Sequence, residues 1–383
     1  MDVDGDIDAK GAEGTDGRAL RPGWTTGACA TAAAAAATAA LFGGDFPDPV
    51  TITLPGGQHP AFALAVTSRG DGWAEAGVIK DAGDDPDVTH GALVRARVMP
   101  GAAGSGITFR AGPGVGTVTL PGLPLPVGEP AINPVPRAMM REAVTAAAQA
   151  AGRVADLVVE IGIDNGEVLA RRTMNGRLGI IGGLSVLGTT GIVVPYSCGA
   201  WIASIHRGVD VARAAGLPHV AACTGRTSEA AVTRHYGLPE QALLDMGDFA
   251  GGTLKYLRRH PVPHLTIAGG FAKLGKLAQG LMDLHSKRHA VDLDWLAGVL
   301  ADLGATPDLV AKARGANTAL EVLQLADAAG LAVADRVAEM ARGVALRVLE
   351  GAPITVDVIV IDRQGGIIGQ AGRVGQTHSP LPR

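Results

Sequence analysis

Hydrophobic and polar positions change texture twice along this chain. No periodic apolar pattern is visible up to about residue 19; then Trp24-Thr25-Thr26-Gly27 leads into an alanine run that ends at Leu41-Phe42 and Gly43-Gly44. A threonine N-cap at one end and glycines at the other predict a helix, and the scarcity of polar side chains predicts burial on most of its faces. From Val50 the texture turns to short alternating runs, VTITL, FALAVTS, AGVIK, LVRARVM and GITFR, separated by Gly, Pro and Asp clusters. Period-two alternation predicts strands of a mixed or antiparallel sheet. Asn133-Pro134 opens a second helix running through Arg137 and Arg141 to about Ala151, since proline at the first helical position loses no hydrogen bond. DLVVEIGI and EVLARRT then read as two strands joined by a turn at Asp164-Asn165-Gly166.

Beyond Pro195 helix and apolar strand alternate, which favours a parallel sheet with helices on its faces. The expected helices cover roughly 198–216, 227–236, 248–260, 272–284, 292–303, 316–329 and 333–350, and the expected strands are HVAAC, ALLDM, HLTIAG and ITVDVIVID. A domain boundary near 190–197 follows. It gives an α+β domain over 20–194 and an α/β domain over 195–372, with a disordered tail over 1–19 and a flexible one over 373–383.

A length of 383 residues suits two domains. With 55 glycines and 23 prolines the chain makes many tight turns, but without a collagen-like period. A net charge of −4, and no basic run interleaved with aromatics, argue against nucleic acid as a partner. Cys29, Cys198 and Cys223 lie far apart with no C-x-x-C pair, as suits a reducing cytosol. The acidic first residues do not resemble a secretory n-region, and Ala28–Phe42 is too short to span a bilayer. A cytoplasmic protein without membrane contact is expected.

Four segments carry candidate chemistry. Thr25-Thr26-Gly27 at a helix N-terminus suits either anion binding or simple capping. Lys80 to His90 contains four aspartates, Asp81, Asp84, Asp85 and Asp87. The loop fails the calcium-loop pattern, because Pro86 and Ala92 stand where Gly and Glu are needed, and it reads as a ligand-facing loop or an Asx-rich turn. Gly112 to Thr117 lacks the Gly-Lys-Ser/Thr ending of a P-loop and precedes a strand. In the second domain three strands end in glycine-containing loops, at Thr224–Glu229, Met246–Phe249 and Ala268–Phe271, and three such ends on one sheet edge point to a cofactor site, although helix–strand packing calls for glycines too. It would draw on Gly225, Arg226, Ser228, Glu229, Gly247, Asp248, Gly269, Gly270 and Phe271. His285 and His289 are spaced to share a helical face, but without an HExxH pattern and beside Lys287 and Arg288. No resident metal is expected, and no serine sits in a nucleophile elbow.

LRPGWTTGACATAAAAAA, KDAGDDPDVTHG, GVGTVTLPGLPLPVGEPAINPVPR, NGRLGIIGGLSVLGTTGIVVPYS and GGFAKLGKLAQG stand in this order from Leu20. In these segments the chain resembles the CbiD family of cobalamin (vitamin B12) biosynthesis, over nearly everything to about Gly372. The resemblance implies an S-adenosylmethionine-dependent methyltransferase acting on C1 of cobalt-precorrin-5B, giving cobalt-precorrin-6A in the anaerobic route. It also implies an N-terminal α+β domain like the second domain of ribosomal protein S5 and a Rossmann-like C-terminal domain. Cobalt would arrive only inside the substrate. The macrocycle's rim of carboxylates would be met by Thr25, Thr26, Gly27, Arg137 and His285, with Asp84, Asp87 and His90, while Asp81 and Asp85 would orient donors or handle a proton. Where many relatives have Asn-Phe after the Met-Gly of the second-strand loop, this chain has Asp248-Phe249. The partner implied is a small tetrapyrrole, and a homo-oligomer is compatible with the sequence. Two other readings fit the residues: a tetrapyrrole carrier or scaffold without catalysis, and a phosphotransferase using the 112–117 loop.

Overall fold

The Thr25 side chain accepts a hydrogen bond from Ala28 N at 3.2 Å, and this cap starts helix α1 (Thr26–Leu41). The computed structural model describes residues 18–286 and 288–372, so the expected tails lie outside the described residues except for Arg18 and Ala19. Thirteen of the sixteen residues of α1 are buried, which is why the helix is built from alanine: only a methyl side chain lets neighbours approach on every side. The buried Thr31 and Thr38 hydroxyls donate back to Gly27 O and Ala34 O, at 2.8 and 2.7 Å, and so stay satisfied.

The chain divides after Trp201 into two compact units. In the first, α1 lies against a five-stranded sheet of β1 (Val66–Gly70), β2 (Trp73–Ile79), β3 (Leu93–Pro100), β4 (Ile107–Ala111) and β5 (Leu157–Ile163), in the order β1-β2-β3-β5-β4. All pairs are antiparallel except β5 with β4. Ala74, Ala76 and Val78 pair in register with Val98, Ala96 and Val94, and this alternating set forms one core with the α1 alanines. Helix α2 (Pro134–Ala150) packs on α1. Asn133 occupies its N-cap position without a side-chain capping bond, so Pro134 marks the start.

The second unit is a sheet of β6 (His219–Cys223), β7 (Leu243–Asp245), β8 (His264–Gly270), β9 (Thr355–Ile361) and β10 (Ile367–Ala371), in the order β7-β6-β8-β9-β10. The first four strands are parallel, and β10 joins antiparallel at the edge. Buried side chains on both faces explain why β6, β8 and β9 read as continuous apolar runs. Around the sheet lie α4 (Cys198–Ala214), which the division crosses, α5 (Arg226–Tyr236), α6 (Ala250–Arg259), α7 (Phe271–Ala278), α8 (Leu293–Asp302), α9 (Pro307–Arg314), α10 (Ala319–Ala328) and α11 (Val333–Leu349).

Four sequence expectations change. EVLARRT is not a strand: it holds the short helix α3 (Gly166–Ala170), and a Cβ on Gly166 would stand 2.1 Å from Gly114 O, so this backbone is packed against the 114 loop. The helix expected over 272–284 stops at Ala278, before Gly280 at φ +93°, and His285 and His289 lie outside any helix. The segment expected at 316–329 begins instead at the Thr318 cap. Helix α9 and edge strand β10 were not expected at all.

The cap at Thr25 gives a direct test. Thr25→Ala should lower the stability of the first unit by about 1 kcal/mol, read as a shift in the urea midpoint with unchanged slope.

Candidate active site

Loop 80–90 in the first unit is pinned by its own acids. Asp81 forms a two-pronged pair with Arg21, at 2.6 and 2.8 Å, and accepts from Gly83 N at 2.9 Å. Asp84 accepts from Arg21 N at 2.6 Å and Asp85 from Tyr196 N at 2.8 Å. Asp87 takes the buried Lys80 ammonium together with Thr89 N and Thr89 Oγ1, at 2.7 and 2.6 Å. All four aspartates therefore have structural partners, more than an Asx turn alone would use. His90 accepts from Ala82 N through Nδ1 at 3.1 Å, which leaves the neutral ring's proton on Nε2 of an exposed side chain.

The Arg21 hydrogen bond, with help from Gly83 N, pulls the Asp81 carboxyl down to about 2. A group with that pKa is a poor proton acceptor at neutral pH, and the contacts of Asp81 with Arg21 and Gly83 favour an anchoring role over the expected acid–base one. Its folded pKa lies below the ordinary carboxylate value, so the pair stabilises the loop above about pH 4 and the contribution fades as pH falls towards 2. A carboxyl-carbon NMR titration should give a midpoint near 2 for Asp81. Asp81→Asn should leave the shape of the pH–rate profile between about pH 5 and 8 unchanged. For Asp87, burial works to raise the pKa but is outweighed by Lys80 and Thr89, so the net shift is downward.

The N-terminus of α1 is closed by its own chain. Thr25 N donates to Gly191 O, Gly27 N to Leu187 O and Cys29 N to Thr25 O, while Thr26 Oγ1 both accepts from Leu187 N and donates to Leu187 O. Thr25 N, Gly27 N and the Thr26 hydroxyl are thus spent on loop 187–191 and the Thr25 hydroxyl on Ala28 N, and the capping reading is the one the geometry supports. Arg137 behaves alike: its guanidinium donates to Ile132 O and Pro130 O and pairs with Glu129, at 2.7, 3.0 and 2.9 Å. Cys29, buried beside Lys80, is pushed up to about 12 by desolvation, so its thiol is no nucleophile. The 112–117 loop has no amides to offer a phosphate at Val115 and Gly116, which donate to Gly112 O and Leu184 O.

In the second unit the strand order reverses direction between β6 and β8, because β7 lies on one side of β6 and β8 on the other. Helix α5 follows β6 and joins the core on the Ala221 and Cys223 face, whereas α7 follows β8 and joins the opposite core. Loops that part in this way leave a crevice at the carboxyl ends of the strands. Neither α5 nor α7 has a side-chain N-cap bond, and a side chain placed at Gly225 or Gly270 would meet nothing within 4 Å. Gly247, at φ +57°, ties its loop to Cys223 O, and Ser228 Oγ donates to Gly225 O. Arg226 is exposed and Glu229 buried.

Two expected cofactor contacts have other roles. Phe271 belongs to the apolar core, and Gly269 is required by Thr224, whose side chain would lie 2.7 Å from a Cβ there. Lys273, not anticipated from the sequence, stands 2.9 Å from Asp248 Oδ1 and donates to Thr224 O at 3.2 Å, so it joins all three loop ends. Leu284 N donates to Asp248 O and Gly251 N to Met282 O, which holds the segment carrying His285 beside these loops. No helix among the described residues is long and apolar enough to cross a membrane.

Residues 13–195 match the family model CbiD and residues 283–372 the model CbiD, C-terminal domain. A protein of Paramagnetospirillum magneticum named cobalt-precorrin-5B C(1)-methyltransferase is 62% identical over 93% of this chain and 99% of its own length. The chain belongs to the CbiD family. A CbiD relative of the same name in Rhodospirillum rubrum is 63% identical over 94% of this chain and 99% of its own. Among solved structures, a cobalamin biosynthesis protein (CbiD) from Archaeoglobus fulgidus is 28% identical, covers 70% of this chain and 83% of that one, and superposes with a TM-score of 0.39.

Proposed function

We propose that this chain is an S-adenosylmethionine-dependent methyltransferase acting on C1 of cobalt-precorrin-5B, with the methyl donor held at the crevice between β6 and β8. The observation that carries the reading is the reversal of strand order between β6 and β8, with free space beside Gly225 and Gly270 at the strand ends, in a member of a family whose relatives bear that enzyme's name. The residues present fit the donor: helix ends with amides for a carboxylate, the Lys273–Asp248 pair holding the loops around it, and Gly225 and Gly270 leaving free space beside the backbone. The strand order also supports a Rossmann-like description of the second unit.

Bound S-adenosylmethionine supplies an electrophilic methyl group on a sulfonium. In the transfer C1 of the macrocycle donates its electron pair to that carbon, the sulfur–carbon bond breaks towards sulfur, and positive charge passes from the sulfonium to the macrocycle's conjugated system. A ring carbon of this kind is already nucleophilic, so the protein needs no covalent nucleophile. Its task is alignment and exclusion of water. The glycine-ended loops fix the donor, and Lys273 with Asp248 fixes the loops. On the substrate side, the exposed His90 Nε2–H and the Arg21 guanidinium meet the carboxylate rim, while Asp81, Asp84, Asp85 and Asp87 hold the loop that presents them.

Isothermal titration discriminates the readings. A methyltransferase binds S-adenosylhomocysteine and not ATP–Mg; a phosphotransferase shows the reverse, and a carrier binds neither.

A further inference from the structure

At the opposite ends of the same strands the second unit buries polar side chains that methyl transfer does not use. His219 opens β6, His264 opens β8, and Asp357 is the third residue of β9. The parallel register pairs His219 with His264 and Thr266 with Asp357, so all four occupy one face of the sheet. Asp357 is wholly buried; its carboxylate accepts from Tyr236 OH at the end of α5 and from Thr266 Oγ1 at 2.9 Å, and its other oxygen meets His264 Nε2. Because the Thr266 hydroxyl donates to Asp357, its oxygen receives His219 Nε2–H at 2.8 Å. Burial, then the hydrogen bond and charge of Asp357, raise the Tyr236 pKa and keep its hydroxyl a donor. The two imidazoles stack with centroids 3.8 Å apart.

We propose that His219, His264 and Asp357 form a binding site for a borderline divalent transition-metal ion, with zinc as its representative. One ligand atom from each residue lies within 4.8 Å of the others. Two imidazole nitrogens and one carboxylate oxygen are a three-residue set that zinc accepts, with water in the fourth position. Tetrahedral zinc holds its ligand atoms about 3.4 Å apart, so the imidazoles swing inward and His219 exchanges Thr266 for the metal. Thr266 and Tyr236 stay on the second carboxylate oxygen as the outer contacts that orient it. His264, buried only in part, gives the ion its way in. The site ties the starts of three strands together at the end remote from the crevice, so its role is stability and not chemistry. It departs from the expectation of no resident metal because that expectation looked for local spacing, and 93 residues separate His264 from Asp357.

The test uses the full chain, stripped with chelator and titrated with zinc chloride alone. One equivalent should survive desalting by elemental analysis, and the melting temperature should rise with added zinc. His264→Gln, folded by circular dichroism, and His219→Gln should each weaken zinc binding by at least about a hundredfold, while His59→Gln in the first unit keeps it. Cobalt(II) in the wild-type chain should give the intense visible bands of a four-coordinate site, a readout that does not depend on any variant folding. Less than a tenth of an equivalent retained by the wild type, uptake by either folded histidine variant equal to that of the wild type, or weak six-coordinate cobalt bands would each overturn the assignment.

Discussion

Gly270→Val should yield a folded protein whose affinity for S-adenosylhomocysteine has fallen by at least about a hundredfold, or about 2.8 kcal/mol. Gly270 caps α7 at φ −69° and ψ 152°, ordinary extended backbone that valine adopts readily. Its missing side chain faces open space, so no protein atom within 4 Å has to move for a Cβ to fit. The space it would fill is the crevice between the starts of α5 and α7, where the methyl donor is proposed to lie. Gly269→Val is a poorer probe, since its Cβ would stand 2.7 Å from the Thr224 side chain and displace the neighbouring loop whether or not a ligand is present. Calorimetric titration of Gly270→Val, with a thermal melt on the same sample, decides the point. Unchanged affinity in the folded variant would remove the crevice from the account.

The second large effect lies in the first unit. Lys80 is 2% exposed, and its ammonium meets Asp87 and donates to Thr89 Oγ1 at 2.6 Å. Lys80→Met fills the same volume but leaves Asp87 without its cation, a loss worth about 3 kcal/mol at the low end for a broken buried pair. The low end applies because the Asp87 side chain keeps 25% of its surface in water. In a unit of this size that should lower the melting temperature by about 6–12 °C. Replacing Asp87 as well, by Leu in the Lys80→Met background, should recover much of the loss, because no uncompensated charge remains. A Lys80→Met protein as stable as the wild type would mean that the pair does not anchor loop 80–90.

Helix α1 was legible because every local signal agreed: a threonine cap, a run of the best helix former and a glycine stop. Strands β6, β8 and β9 were legible through their unbroken apolar runs. EVLARRT misled because its alternation is real but no strand pairs with it, and Gly114 seals the backbone there instead. Helix α9 fully buries only Ala313 and adds only the half-buried Leu309 and Val310, too short an apolar face to stand out, and β10 is an edge strand with mostly exposed or half-exposed residues. The glycines of the crevice could be read because they follow their strands directly. The bidentate bond of Arg21 to Asp81 could not, since 60 residues separate the partners, and neither could the contact of Lys273 with two separate loops. Residue types marked where chemistry was concentrated, but which aspartate anchors and which histidine stays exposed depends on long-range pairing.

Methyl transfer to C1 is open to direct measurement. Incubation of the purified chain with cobalt-precorrin-5B and methyl-labelled S-adenosylmethionine, read by mass spectrometry and carbon NMR of the product, tests it most directly. One labelled methyl group per macrocycle should appear, attached at C1, with S-adenosylhomocysteine formed in equal amount. A macrocycle that comes back unlabelled, or labelled at another carbon, would contradict it.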